Sequence, residues 1–160
     1  MDATARYAKA GDQREEQYWL GNSGSALFDA ITGLPEYYLT RAETEILSEW
    51  GWQIVRLLDA PVDFVELGSG SAIKTRRLIG EALRVQTDLC YSPIDISVEA
   101  VRASSLALVE TFPRLRVRAF AGDYFDVLQS RALHSQHKML AMLMGSNIGN
   151  YEPSRARLDI

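Results

Sequence analysis

Phe64-Val65-Glu66-Leu67-Gly68-Ser69-Gly70-Ser71-Ala72-Ile73-Lys74-Thr75 is the stretch whose reading decides the fold. The apolar run from Val62 to Glu66 predicts a buried strand. A glycine turn follows, and then a helix over 72–83 with Leu78, Ile79 and Leu83 facing inward. Strand, glycine turn and helix in that order are how α/β proteins bring backbone N–H groups up to a nucleotide-like ligand. Gly68 and Gly70 tolerate positive φ and let the backbone approach a ligand closely.

Outward from this point the pattern alternates. Residues 89–94 read as a strand and 97–109 as a helix capped by Ser97, with Val98, Val101, Leu106 and Val109 as its apolar positions. Residues 115–120 read as a third strand, 125–133 as a short helix and 139–144 as a fourth, fully apolar strand. Strands alternating with helices imply parallel βαβ units. Upstream, residues 1–20 are polar and end in Tyr18 and Trp19, and Gly21 to Ser25 form a turn-rich break. Ala26, Leu27, Phe28, Ile31 and Leu34 suggest a short amphipathic helix ended by Pro35. Thr40-Arg41-Ala42-Glu43 fits a capping box opening a second helix, with Ile46, Leu47, Trp50, Ile54, Leu57 and Leu58 as its apolar stripe. The expected architecture is α/β and Rossmann-like: an arm and helices over 1–60, then an incomplete parallel sheet of about four strands over 61–160. Its unfinished edge invites a second chain or self-association.

Composition narrows the function. The chain has 160 residues and a net charge of −4, with 47% hydrophobic and 24% charged residues. That suits one globular domain, and the charge offers no general attraction to nucleic acid or anionic membrane. No apolar run is long enough to span a bilayer, and the N-terminus lacks the apolar core of a signal peptide. The single cysteine, Cys90, lies in an apolar strand and has no internal disulfide partner, so a reducing cytoplasm and a packing role are expected. His134 and His137 have no accompanying metal-ligand motif, so no metal site is expected.

Three cofactor classes compete for the glycine turn. A Walker A loop requires glycine immediately before Lys74-Thr75, where Ile73 stands. A dinucleotide site wants a third glycine at the helix opening, and Ile73 stands there too. S-adenosylmethionine carries no phosphate and needs no third glycine. Asp95, ending the second strand, suits its ribose hydroxyls. Asp123, after the third strand, suits the adenine amine, and Tyr124 suits stacking on the adenine. Lys74 suits the carboxylate of the amino-acid end. Helix capping or loop solvation is the plain alternative for either aspartate alone. Gly145-Ser146-Asn147-Ile148-Gly149-Asn150 makes another tight turn after the fourth strand, at the same edge of the sheet.

Together these pieces resemble the histidine-specific N-alpha-methyltransferase family of ergothioneine biosynthesis and its fungal dimethylallyltryptophan N-methyltransferase relatives. The matching strings are residues 25–43, 66–76, 91–97, 121–124 and 145–150. The resemblance implies a S-adenosylmethionine-dependent methyltransferase fold, with Gly68, Ser69, Gly70, Lys74, Asp95, Asp123 and Tyr124 as cofactor contacts. It implies Tyr37, Gly145 and Asn150 as substrate contacts in an amino-acid pocket. Leu20 stands where the family places a further tyrosine, with Tyr18 and Trp19 just upstream. Family enzymes are considerably longer, so 61–160 is read as a partial methyltransferase domain lacking the C-terminal strands and the substrate domain. The expected activity is methylation of the α-amine of histidine or a related amino acid. The alternative is a truncated, non-catalytic remnant that keeps the cofactor motifs. No catalytic base is assigned.

Overall fold

A computed structural model describes residues 30–58 and 61–145. The N-terminal arm, residues 26–29 of the first expected helix, Leu20 and Asn150 lie outside the described residues. The elements in order are α1 (Leu39–Leu57), β1 (Val62–Leu67), α2 (Thr75–Val85), β2 (Leu89–Asp95), α3 (Val98–Thr111), β3 (Leu115–Val117), β4 (Phe120–Ala121), α4 (Tyr124–Gln129) and β5 (Lys138–Met142). All strand pairs are parallel, in the order β3-β2-β1-β5, with β4 also on β2.

Five strand segments thus fill four places in the sheet. β3 and β4 share one register on β2, with Val117 opposite Tyr91 and Phe120 opposite Ile94. The break between them has a chemical cause. Arg118 N–H donates to the Tyr91 carbonyl at 2.9 Å. In a parallel ladder the following rung comes from the N–H of Pro93, and proline has none. The strand expected over 115–120 is in place and is interrupted opposite Pro93.

Every residue of β1 is buried, as are all but the last of β2, which fits strands covered on both faces. Val62 and Phe64 join Leu78, Ile79, Leu89 and Tyr91 in one cluster, while Val65 and Leu67 join Ile94, Tyr124 and Val127 in another. Successive strand residues point to opposite faces, so these are the two sides of the sheet. α1 packs on α2, with Gly51 close to Leu78 and Glu81.

Several boundaries and faces differ from expectation. α2 begins at Thr75 rather than Ala72, because Ala72 has a φ of 53° and sits in the left-handed region. α1 begins at Leu39 after Tyr38, without a side-chain cap, so Thr40 lies inside the helix and no capping box forms. The buried face of α1 is Leu47, Gly51 and Val55, while Ile46, Trp50 and Leu57 are exposed. In α3 the buried residues are Val101, Ser104 and Leu108, while Val98 and Leu106 are exposed; Ser97 caps the helix by accepting from Ala100 N–H. β5 is largely exposed, with only Met142 buried.

Two acids lie inside β1. Asp63 accepts from Cys90 N–H at 2.9 Å and from Ser135 Oγ at 2.5 Å, and meets His137 Nδ1 at 3.4 Å. Burial alone raises its pKa, but these partners outweigh burial and hold it below the usual carboxylate value. This knot fastens the approach to β5 onto the amino-terminal rim of the sheet. Glu66, on the Phe64 face, accepts from Thr75 Oγ1 at 2.7 Å and from the Tyr91 hydroxyl. Burial pushes the Glu66 carboxyl up to about 7, against those hydrogen bonds and the charge of Lys74.

A carboxyl whose pKa is raised by folding stabilises the fold below its unfolded value and loses that contribution as pH climbs through the folded value. For Glu66 the window runs from 4.5 to about 7. Chemical denaturation at pH 5 and pH 8 measures it: Glu66→Gln should gain roughly 2–3 kcal/mol on the wild type across that interval. An unchanged difference between the two proteins would mean that Glu66 titrates normally.

Candidate functional site

The carboxyl ends of β1 and β2 are stitched together by the glycine turn. Gly68 and Ser69 N–H groups donate to the Ile94 carbonyl at 2.8 and 3.1 Å. Gly70 N–H donates to Asp95 Oδ2 at 2.8 Å, and Ser97 N–H donates to Asp95 Oδ1 at 2.9 Å. One carboxylate therefore fixes both the turn after β1 and the entry to α3, on the rim where open α/β sheets bind ligands. Gly68 and Gly70 have φ of 73° and 50°. Among the described residues a Cβ built at Gly70 meets no atom within 4 Å, so backbone conformation selects glycine there and the described part of the chain leaves space beside the turn.

Ser69 is buried within this turn, and among the described residues its hydroxyl has no hydrogen-bond partner. Such an orphan costs about 1–3 kcal/mol unless something satisfies it. Gly122 N–H donates to the Asp95 carbonyl at 2.8 Å, which brings the turn ahead of α4 to the same rim. Asp123 caps α4, with Oδ1 accepting from Phe125 N–H at 2.8 Å. The capping alternative for this aspartate is thus realised, and a carboxylate keeps further acceptor sites. Tyr124 is 5% exposed and packs in the second cluster. Stacking on a ligand would first require that ring to be uncovered.

Lys74 and Gly145 meet through a residue not expected at the site. Glu43, on α1, accepts from Lys74 Nζ at 2.6 Å through Oε2 and from Gly145 N–H at 2.6 Å through Oε1. The partners are 31 and 102 residues away in sequence. The local pattern around Glu43 signals only a helix start, and no local pattern signals this clamp. Tyr37 is half-buried ahead of α1, and its carbonyl accepts from Arg41. Asn150 is not among the described residues, so the expected amino-acid pocket is represented here by Tyr37 and Gly145 alone.

Residues 11–158 match the family described as histidine-specific methyltransferase, SAM-dependent. The chain belongs to that family. It is 34% identical to the histidine N-alpha-methyltransferase of Mycolicibacterium smegmatis, over 82% of this chain and 40% of that protein. It is 37% identical to the same-named protein of Mycobacterium tuberculosis, over 81% of this chain and 40% of that one. Ergothioneine biosynthesis protein 1 of Neurospora crassa is 30% identical over 83% of this chain and 15% of its own length. The chain therefore spans about 40% of the length of the two bacterial relatives. A solved structure from Methanococcus maripaludis, described as a S-adenosyl-L-methionine-dependent methyltransferase, overlays with a TM-score of 0.48 at 17% identity, covering 84% of this chain and 54% of that one.

The rim suits the family's cofactor, S-adenosylmethionine. Among the described residues it offers space beside Gly70, a Ser69 hydroxyl without a partner, and a carboxylate at Asp95 whose oxygens each keep acceptor capacity. Walker-type phosphate chemistry finds no matching turn here.

Asp95→Ala removes two charge-assisted anchors at once. The expected cost is about 1.5–3 kcal/mol in chemical denaturation, with faster hydrogen exchange confined to the Gly70 and Ser97 amides and their neighbours. Unchanged protection at both amides would show that Asp95 does not hold the turn.

Proposed function

We propose that this chain provides the cofactor-binding half of a S-adenosylmethionine-dependent N-methyltransferase acting on the α-amine of histidine or a related amino acid. The observation that carries the reading is the bond from Gly70 N–H to Asp95, which puts an acid, a glycine turn and open space together at one rim. S-adenosylmethionine supplies an electrophilic methyl group on a cationic sulfur when bound. The remaining work falls to side chains and backbone of this chain. Asp95 accepts the ribose hydroxyls, Asp123 the adenine amine, and Gly68, Ser69 and Gly70 present the backbone against the nucleoside. Lys74 attracts the carboxylate of the amino-acid end. Tyr37, Gly145 and Asn150 bound the amine substrate. Holding two reactants in line contributes on the order of 7–11 kcal/mol to barrier reduction, so orientation by these groups is the main expected source of rate.

Two further parts of the reading concern setting. The lone, buried Cys90 suits the reducing cytoplasm. No helix among the described residues is long and apolar enough to cross a membrane. Among the described residues β5 pairs only with β1, and its outer edge is the place for a further strand or a second chain.

Calorimetric titration with S-adenosylhomocysteine tests the proposal. A Kd tighter than about 1 mM is expected, weakened strongly by Asp95→Ala. Incubation with S-adenosylmethionine and histidine, followed by mass spectrometry, then separates a working enzyme from a chain that only binds. Failure of S-adenosylhomocysteine to bind would overturn the cofactor assignment, whereas binding without any methylated amino acid would favour the non-catalytic remnant.

A further inference from the structure

The Glu43–Lys74 pair lies at the carboxyl rim, joins two walls of the proposed site, and remains open to ligand. The two side chains are 23% and 21% exposed, in that order. Each charge also has unused capacity. Among the described residues Lys74 Nζ has three N–H groups and one partner in Glu43, and the two Glu43 oxygens, with about four acceptor sites, are met by Lys74 and Gly145 N–H. At Gly145, with φ of 82°, an added Cβ would lie 3.6 Å from Lys74 Nζ, in van der Waals contact with the ammonium.

An adjacent cation and anion with spare hydrogen-bonding sites complement a ligand that carries both charges on neighbouring atoms. We propose that Glu43 and Lys74 together receive an α-amino-acid zwitterion, the ligand's carboxylate docking on Lys74 and its ammonium on Glu43. This deepens the proposed function and rests on it. It gives Glu43 a binding role that its helical position does not suggest. The chemistry admits two sources: the amino-acid end of the cofactor, or the free amino acid that is methylated. A carboxylate held at this rim by two aligned donors keeps acceptor sites that a ligand ammonium can use.

The test compares S-adenosylhomocysteine, which ends in a zwitterion, with methylthioadenosine, which carries the same nucleoside without it. Titrations use the full chain, Glu43→Gln and Lys74→Met. If the cofactor end is received, both variants weaken S-adenosylhomocysteine about tenfold or more and leave methylthioadenosine unchanged, and the double variant loses less than the product of the two. If the substrate is received, both variants leave the two nucleosides unchanged but weaken histidine binding to the chain saturated with S-adenosylhomocysteine by a similar factor, and Lys74 then serves the substrate instead of the cofactor carboxylate assigned to it above. Equal losses for both nucleosides would make the pair a structural staple, and no loss for any ligand would make it a surface contact; either overturns the inference. Methylthioadenosine binding also reports that each variant is folded. If neither nucleoside binds even the wild type, the cofactor assignment fails before this inference is reached.

Discussion

The acceptance of two backbone N–H groups by one carboxylate, Asp95, fixes the glycine turn and the entry to α3 at the carboxyl rim. Gly70 N–H reaches one oxygen and Ser97 N–H the other. The glycine turn is further bound by two N–H groups to the Ile94 carbonyl, the last backbone acceptor before that acid. A turn of positive-φ glycines has little conformational preference of its own. Here it is held from outside, by the end of the neighbouring strand. A ligand that approached it would meet a preformed surface and lose less ordering entropy on binding.

The two rims of the sheet are built differently. At the amino-terminal rim Asp63 gathers Cys90 N–H, Ser135 and His137, contacts that all lie within the protein. Between the rims Glu66 is locked by Thr75 and Tyr91, its pKa pushed up by burial. The acid just before the glycines therefore tethers the turn-following helix to the neighbouring strand, at 2% exposure, rather than facing a ligand. At the carboxyl rim the acids, Asp95 and Glu43, keep acceptor sites and partial exposure.

Much of this was legible in the residues. The β1–turn–α2–β2 unit follows from apolar runs and glycines, because buried parallel strands leave a continuous apolar signature. Burial of Leu78, Ile79 and Leu83 and the cap at Ser97 follow from helical spacing and a hydroxyl at the helix start. What stayed hidden was long-range. Thr40 and Glu43 satisfy a local capping pattern, yet the helix starts earlier, and Glu43 is taken by partners that no neighbouring residue announces. Half of the expected α1 stripe packs, Leu47 in the core with Ile54 and Leu58 against it, while Ile46, Trp50 and Leu57 fit helical spacing as well and stay exposed. The close contact with α2 falls at Gly51, which no hydrophobicity pattern marks. The split of one strand into β3 and β4 depends on Pro93 in the neighbouring strand, visible only once register is known. Asp123 read as a ligand contact with capping as the plain alternative; the cap forms through one oxygen, and the carboxylate keeps further acceptor sites.

The central claim is that a nucleoside lies against the Asp95–Gly70 junction, and amide chemical-shift mapping by NMR during titration with S-adenosylhomocysteine tests it most directly. The expected result is progressive shifts at Gly68, Ser69, Gly70, Asp95 and Gly122, with Asp63, Cys90 and His137 at the opposite rim unmoved. Shifts centred on the Asp63 rim, or spread evenly over the surface with none at the glycine turn, would contradict it.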